Sequence, residues 1–150
     1  MLRKKARAVR TVSDQHRALL SQMARMMYES SGIGLAAPQV GVDEKLIVVD
    51  IGKSLYKLVN PEIVKRSGQQ SIEEGCLSVP GVSVKVKRAK SVAVEALDDE
   101  GKPVRIECEG LLAIVFQHEI DHLLGKLILD YVPVWKRALL KKKLQKFKEI

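Results

Sequence analysis

The feature that most constrains this chain is an apolar segment with two histidines, GLLAIVFQHEIDHLLG at residues 110–125. It is too apolar for a solvated helix, so it predicts a buried one that Gly125 ends. On a helix, His118 and His122 lie four positions apart and can face the same point. The charge of Glu119 is costly there unless it is paired or bound to a ligand. Since H-E-x-x-H is how a helix holds a divalent metal beside a general base, the segment predicts a metal site.

The third metal ligand is not evident from this segment. A catalytic metal takes three protein ligands and keeps one position open, and the downstream position that would add a third histidine holds Ile128. Asp130, Cys76 and Cys108 are the other candidates. Cys108 belongs to an alternating run that predicts a core position, whereas Cys76 lies in EEGCLSVPG, which predicts an irregular loop. Because a thiolate in a loop can be aimed at a metal, we favour Cys76 and keep Cys108 as the alternative.

The rest of the chain predicts a single α+β domain over residues 1–150, which is long enough for a sizeable core. We expect mostly antiparallel strands around the central buried helix, with an N-terminal helix and a basic C-terminal helix. The predicted elements are a helix over Ser13–Ser31 with a core-facing methionine stripe, strands at 46–51 and 57–64 (the second irregular at its proline), a hairpin over 91–109, the helix at 110–125, and a last helix at Val134–Ile150.

Composition excludes several classes of protein. Hydrophobic residues make up 46% and charged residues 29%, which is a globular balance and not that of a disordered chain. The apolar runs are too short to cross a bilayer, and the first ten residues lack the apolar core of a secretory signal. Two cysteines then favour a reducing compartment, and we expect a cytoplasmic protein with no membrane partner.

Net charge is +8, and the positive residues are clustered near both ends and in Lys85–Lys90. Clusters of this kind favour a polyanion such as RNA, although solubility alone is the alternative explanation. A second unusual stretch, GIGLAAPQVG at residues 32–41, permits close backbone approach by a ligand and includes the amide of Gln39. Alone it predicts only a glycine-rich connection, and it does not match the dinucleotide pattern.

GIGLAAPQVG, EGCLSVPG and QHEIDHLLG occur in that order, and together they resemble the three signature motifs of the peptide deformylase family. The resemblance spans Gly32–Gly125. It implies removal of the formyl group from the N-terminal formyl-methionine of nascent peptides. It also implies one divalent metal bound by Cys76, His118 and His122, with ferrous iron the usual physiological ion and zinc, nickel or cobalt as alternatives.

The same resemblance assigns roles to further residues. Glu119 would act as the general base, while the Gln39 amide and the backbone N–H of Leu77 would stabilise the oxyanion. Arg88 would pair with Glu74 or Asp121 to support the metal ligands. The residues implied in substrate binding are Ile33, Gly34, Ile72, Gly75, Leu111, Ile114 and Val115. For the apolar ones, a plain core position is the alternative.

The resemblance also implies a bacterial-type monomer that docks near the ribosomal exit tunnel through its basic last helix; an organellar member is the alternative. One rival hypothesis is an H-E-x-x-H metallopeptidase, which Ile128 disfavours. Another is an RNA-binding protein with a structural metal, but such a metal normally takes four protein ligands, more than we can identify here. An inactive family member is disfavoured because all motif residues are present.

Overall fold

The computed structural model of the chain describes the backbone of residues 4–76 and 79–126 and the side chains of residues 4–72 and 85–126. All strand pairs in its two sheets are antiparallel: one sheet has five strands in the order Gly34–Ala36, Leu46–Val49, Tyr56–Ser67, Ser91–Leu97 and Pro103–Glu109, and the other pairs Gln70–Cys76 with Val79–Arg88. The α+β class with mostly antiparallel strands is confirmed. The elements are α1 (Asp14–Glu29), β1 (Gly34–Ala36), a 3₁₀ helix (Ala37–Val40), β2 (Leu46–Val49), β3 (Tyr56–Ser67), β4 (Gln70–Cys76), β5 (Val79–Arg88), β6 (Ser91–Leu97), β7 (Pro103–Glu109) and α2 (Gly110–Leu123).

The larger sheet lies between the two helices, and strand β2 shows this most clearly. Side chains alternate along a strand, and Leu46 and Val48 pack in the cluster that contains α1. Ile47 and Val49 pack in the opposite cluster, which contains α2. Both faces of β2 are therefore buried, which explains why its sequence is continuously apolar and does not alternate with polar residues.

Helix α1 begins where the sequence predicted. Ser13 is its N-cap, and the Ser13 backbone N–H donates to Nδ1 of His16 at 3.0 Å. That nitrogen therefore accepts, so His16 can donate from Nε2 to Glu44, 2.8 Å away. Of the predicted methionine stripe, Met23 and Met27 are fully buried in the core, whereas Met26 is 44% exposed and the core prediction was wrong for it.

The predicted hairpin over 91–109 is confirmed as β6 and β7, paired from Ser91 with Glu109 to Leu97 with Pro103. The irregularity expected in the second strand is also present. The β3–β6 register shifts between Val59 and Glu62, where Asn60 has a left-handed φ of 52°. Strand β3 is longer than the predicted 57–64 because its second half pairs with β6 up to Ser67.

Two predictions of irregular structure were wrong. The glycine-rich connection contains strand β1, because buried Leu35 and Ala36 pair with β2. The loop predicted around Cys76 is in part a strand, since β4 extends to Cys76 and shifts its register against β5 after Gly75. Glycine-rich sequence has low strand propensity, so neither the pairing of β1 with β2 nor the hairpin pairing of β4 with β5 was evident from the sequence.

The end of α2 is tied to the N-terminal segment. The Ala6 backbone N–H donates to the Leu123 carbonyl at 2.8 Å, and Asn60 bonds both backbone groups of Val9 at 2.8 Å. The basic helix predicted at 134–150 lies outside the described residues. Within residues 4–76 and 79–126, no helix has the length and hydropathy that crossing a membrane requires.

Candidate metal centre

Helix α2 gathers His118, Glu119 and His122 into one buried cluster. Ligand atoms from the three side chains lie within 4.8 Å of one another, and the two imidazole centroids are 5.0 Å apart. The helical repeat brings the histidines together, because residues four apart share a face. The surrounding helix is buried from Ala113 to Leu123, so these polar groups occupy an apolar environment.

The donor atoms of this cluster fit a divalent transition metal. Imidazole nitrogens suit zinc, copper, iron and nickel, and the two here converge with a carboxylate beside them. Burying three polar side chains is costly unless they are hydrogen-bonded or bound to a metal. The cluster is thus well suited to hold a metal.

The two cysteines differ in their relation to this cluster. Cys108 lies on β7 opposite Val92, packs against the core and is not part of the ligand cluster among the described residues. Burial raises the pKa of its thiol to about 11, which disfavours the thiolate that metals bind. Cys76 ends β4, but its side chain lies outside the described residues, as does Asp130.

Strand β1 passes directly over Glu119. A Cβ built on Gly34 would lie 2.5 Å from Oε2 of Glu119 and 2.9 Å from Cγ1 of Val115. Real Cβ atoms essentially never approach other atoms within 3.0 Å, so only glycine fits here without displacement. The segments GIGLAAPQVG and QHEIDHLLG therefore meet at this contact.

Gln39 lies in the 3₁₀ helix that follows β1, and its side chain is oriented by the backbone. The Ala36 N–H donates to Oε1 of Gln39 at 2.8 Å. Because the amide oxygen accepts this bond, the NH₂ end is the part of Gln39 that can donate to another group. Leu77, the second predicted oxyanion donor, lies outside the described residues.

Arg88, at the end of β5, forms a buried ion pair with Asp121 on α2 through its Nη1 atom. Of the two carboxylates that the sequence offered as partners, Asp121 is the one seen. The side chain of Glu74 lies outside the described residues. Asp121 precedes His122, so the pair joins the β4–β5 sheet to the helix that carries both histidines.

The residues predicted to bind substrate divide into two groups. Ile33, Ile72 and Leu111 are exposed although apolar, which suits side chains that a ligand covers. Ile114 and Val115 are buried on α2, where core packing alone would also account for them. Gly75 belongs to β4 and pairs with Ser83.

One buried residue of α2 was not singled out from the sequence. Gln117 donates to and accepts from the backbone of Ala89, each at 2.9 Å. An amide within an apolar helix was the available signal, since such a group must find partners. In the sequence, the neighbouring His118 was interpreted as a metal ligand, and Gln117 was given no role.

A family model described as polypeptide deformylase matches residues 1–138. The peptide deformylase of Hamiltonella defensa is 43% identical over 152 residues, covering 99% of this chain and 89% of that protein. The peptide deformylase of Halothermothrix orenii is 51% identical over 134 residues, covering 88% of this chain and 87% of that protein.

Solved structures of peptide deformylases resemble this fold closely. The protein from Legionella pneumophila superposes with a TM-score of 0.93 at 49% identity, covering 99% of this chain and 89% of that one. The protein from Ehrlichia chaffeensis in complex with actinonin gives a TM-score of 0.95 at 34% identity, covering 99% and 92%.

Proposed function

The chain belongs to the polypeptide deformylase family, and we propose that its catalytic centre is the α2 cluster completed by Cys76. Enzymes of this metal-dependent family remove the formyl group from the N-terminal methionine of nascent polypeptides, and this is the reaction of the chain. The proposal concerns which residues perform it. We further propose that residues 1–150 act as one domain.

His118, His122 and Cys76 are the residues proposed to hold the metal. Two imidazoles and a thiolate suit iron, zinc, nickel or cobalt, and we propose ferrous iron as the physiological ion. When bound, the metal lowers the pKa of a coordinated water and polarises the formyl carbonyl. Arg88 supports the site by pairing with Asp121, which holds β5 against α2, the helix that carries both histidines. Glu74 would assist from β4.

Glu119 is proposed to transfer the proton. Its carboxylate lies within the ligand cluster and beneath Gly34, where the formyl group would reach it from the β1 side. It would accept a proton from the attacking water and deliver it to the departing amine as the C–N bond breaks. The products would be formate and a peptide with a free amino terminus.

Gln39 and the backbone N–H of Leu77 are proposed to stabilise the oxyanion that forms on the formyl oxygen. Gln39 is suited to this role because its amide oxygen accepts from the Ala36 N–H, so the NH₂ end is its hydrogen-bond donor. A preorganised donor of this kind is worth about 3 kcal/mol of transition-state stabilisation.

The peptide is proposed to add as a strand beside β1. This strand is at the edge of the five-stranded sheet, so it can accept another strand along Ile33–Gly34, with Gly75 on the far side. The methionine side chain would then pack on the apolar residues near α2. These are Ile33, Ile72, Leu111, Ile114 and Val115.

The observation that carries this proposal is the convergence of His118, Glu119 and His122, with Glu119 lying against Gly34. The test is formate release from formyl-methionyl peptides by protein loaded anaerobically with iron, compared with zinc. We expect turnover with both metals and more with iron. Cleavage of N-acetylated or internal peptide bonds, without formate release, would instead support the metallopeptidase alternative.

We also propose a cytoplasmic monomer that docks on the ribosome through the basic segment after residue 133. Seven lysines and arginines in Lys136–Lys148 suit a phosphate-rich surface, and binding should weaken steeply with salt. Deleting the residues after Leu140 should reduce ribosome binding and its salt dependence but preserve turnover of a short formyl-methionyl peptide. Equal ribosome affinity before and after truncation would contradict the docking proposal.

A further inference from the structure

The two-stranded sheet of β4 and β5 leaves the main sheet at a narrow junction. Ser67 still pairs with Ser91 in the main sheet, and a few residues further Gln70 pairs with Arg88 in the separate sheet. No strand pairing joins the two sheets within the described residues. The direction of the β4–β5 hairpin therefore depends on contacts at its base.

Gln117 makes one group of these contacts. Its Oε1 accepts the Ala89 N–H at 2.9 Å, and its Nε2 donates to the Ala89 carbonyl at 2.9 Å and to the Ala113 carbonyl at 3.0 Å. Ala89 follows directly after β5. The side chain of Gln117 thus pairs with this backbone as another strand would, and its third bond fixes it to its own helix.

Gln70, the first residue of β4, holds the same junction from the other strand. Its Nε2 lies 3.3 Å from the Ala89 carbonyl and 3.2 Å from the Gly110 carbonyl, at the first residue of α2. Both strands of the hairpin are therefore bonded at their base to α2. The buried Arg88–Asp121 pair adds a third connection to the same helix.

A small tilt at this base would have a large effect at the other end of β4. Cys76 lies six residues beyond Gln70, which at 3.3 Å per residue is about 20 Å. A tilt of about 5° would move the far end of such a strand by about 1.7 Å. Metal–ligand distances tolerate only about 0.2 Å, so the orientation of the hairpin must be closely held if Cys76 binds the metal.

We propose that Gln117 and Gln70 are positioning residues that set the β4–β5 hairpin against α2, and so bring the Cys76 thiolate to the two histidines. This inference rests on the proposed role of Cys76. A purely structural role would only stabilise the fold. A positioning role also predicts that the variants weaken the metal–thiolate bond by more than their loss of folding stability would explain.

The test uses cobalt(II) added to metal-free protein, with affinity measured by chelator competition and the thiolate bond by its charge-transfer absorption. Gln117→Met keeps a similar volume but removes all three side-chain hydrogen bonds. Gln70→Leu removes the side-chain hydrogen bonds of Gln70 to the Ala89 and Gly110 carbonyls. This position is partly exposed, so the fold is expected to survive the change. The matched control is Leu20→Ala, which destabilises the core on the opposite face of the sheet, far from the junction.

We expect cobalt affinity to fall about tenfold or more in both glutamine variants, with a weakened thiolate band, because removing the groups that orient metal ligands typically costs 10–100-fold. Leu20→Ala should leave both signals unchanged. The inference would be overturned if folded Gln70→Leu protein bound cobalt with an affinity within twofold of the parent. It would also be overturned if Leu20→Ala lost as much cobalt affinity as the glutamine variants. A parent thiolate band that persists in Cys76→Ala would instead contradict the proposed ligand.

Discussion

Replacing Gly34 by alanine tests whether the contact between β1 and α2 sets the position of Glu119, the proposed general base. The added Cβ would lie 2.5 Å from Oε2 and 2.9 Å from Cγ of Glu119. It would also lie 2.9 Å from Cγ1 of Val115, whose branched side chain has little freedom on a helix. The carboxylate is the more flexible neighbour, so Glu119 should move.

The size of the effect follows from these distances. Ordinary van der Waals contact begins near 3.4 Å, so the carboxylate oxygen must shift by about 0.9 Å. A misplacement of about 1 Å at a reacting group can cost about 100-fold in rate, or about 2.7 kcal/mol of transition-state stabilisation. The loss of folding stability should be about 1–3 kcal/mol, the usual cost of overpacking, because the Glu119 carboxylate can yield but the branched Val115 side chain has little freedom.

The assay is kcat/KM for formate release, together with metal content and urea unfolding. Gly34→Ala should lose about 100-fold in kcat/KM while keeping one metal per chain. Gly52→Ala is the control, because its φ of +106° makes alanine strained although nothing lies within 4 Å of the added Cβ. It should lose stability but not activity. A kcat/KM of Gly34→Ala within threefold of the parent would refute this account of Glu119.

Further variants test the other roles. Glu119→Ala should retain one metal per chain but lose nearly all turnover; loss of metal in parallel would make Glu119 a ligand. Gln39→Ala should lower kcat with little change in KM, since the bond is proposed to strengthen in the transition state. Arg88→Met should cost about 3–5 kcal/mol in urea unfolding, because it removes one partner of a buried ion pair. Since burial raises the pKa of Cys108 to about 11, its thiol stays protonated at pH 8 and should alkylate slowly in folded protein but quickly in urea.

Structural features that depend on residues close together in the chain were predictable from the sequence. The four-residue spacing of His118 and His122 places them together on any helix, and the structure has that helix at Gly110–Leu123. The β6–β7 hairpin and the start of α1 at Ser13 likewise follow from turn and cap signals close to each element. In these cases the physical cause lies within a few residues of the effect.

Strand β1 was missed for the opposite reason, because its hydrogen bonds go to β2, which follows only after the 3₁₀ helix. The β4–β5 hairpin was missed although its partners are close in sequence, because its glycine-containing turn region has low strand propensity. Gln117 was missed because its partner, Ala89, is 28 residues away along the chain.

The sequence by itself determined the chemistry available to this protein, because the identities and spacing of the two histidines and of Glu119 are local facts. Only the tertiary structure decided that Gly34 lies against Glu119, that Asp121 is a partner of Arg88, and that Cys108 is absent from the ligand cluster among the described residues. Each of these depends on how sheet and helix pack. Packing is set by the burial of many side chains at once, and no single motif encodes it.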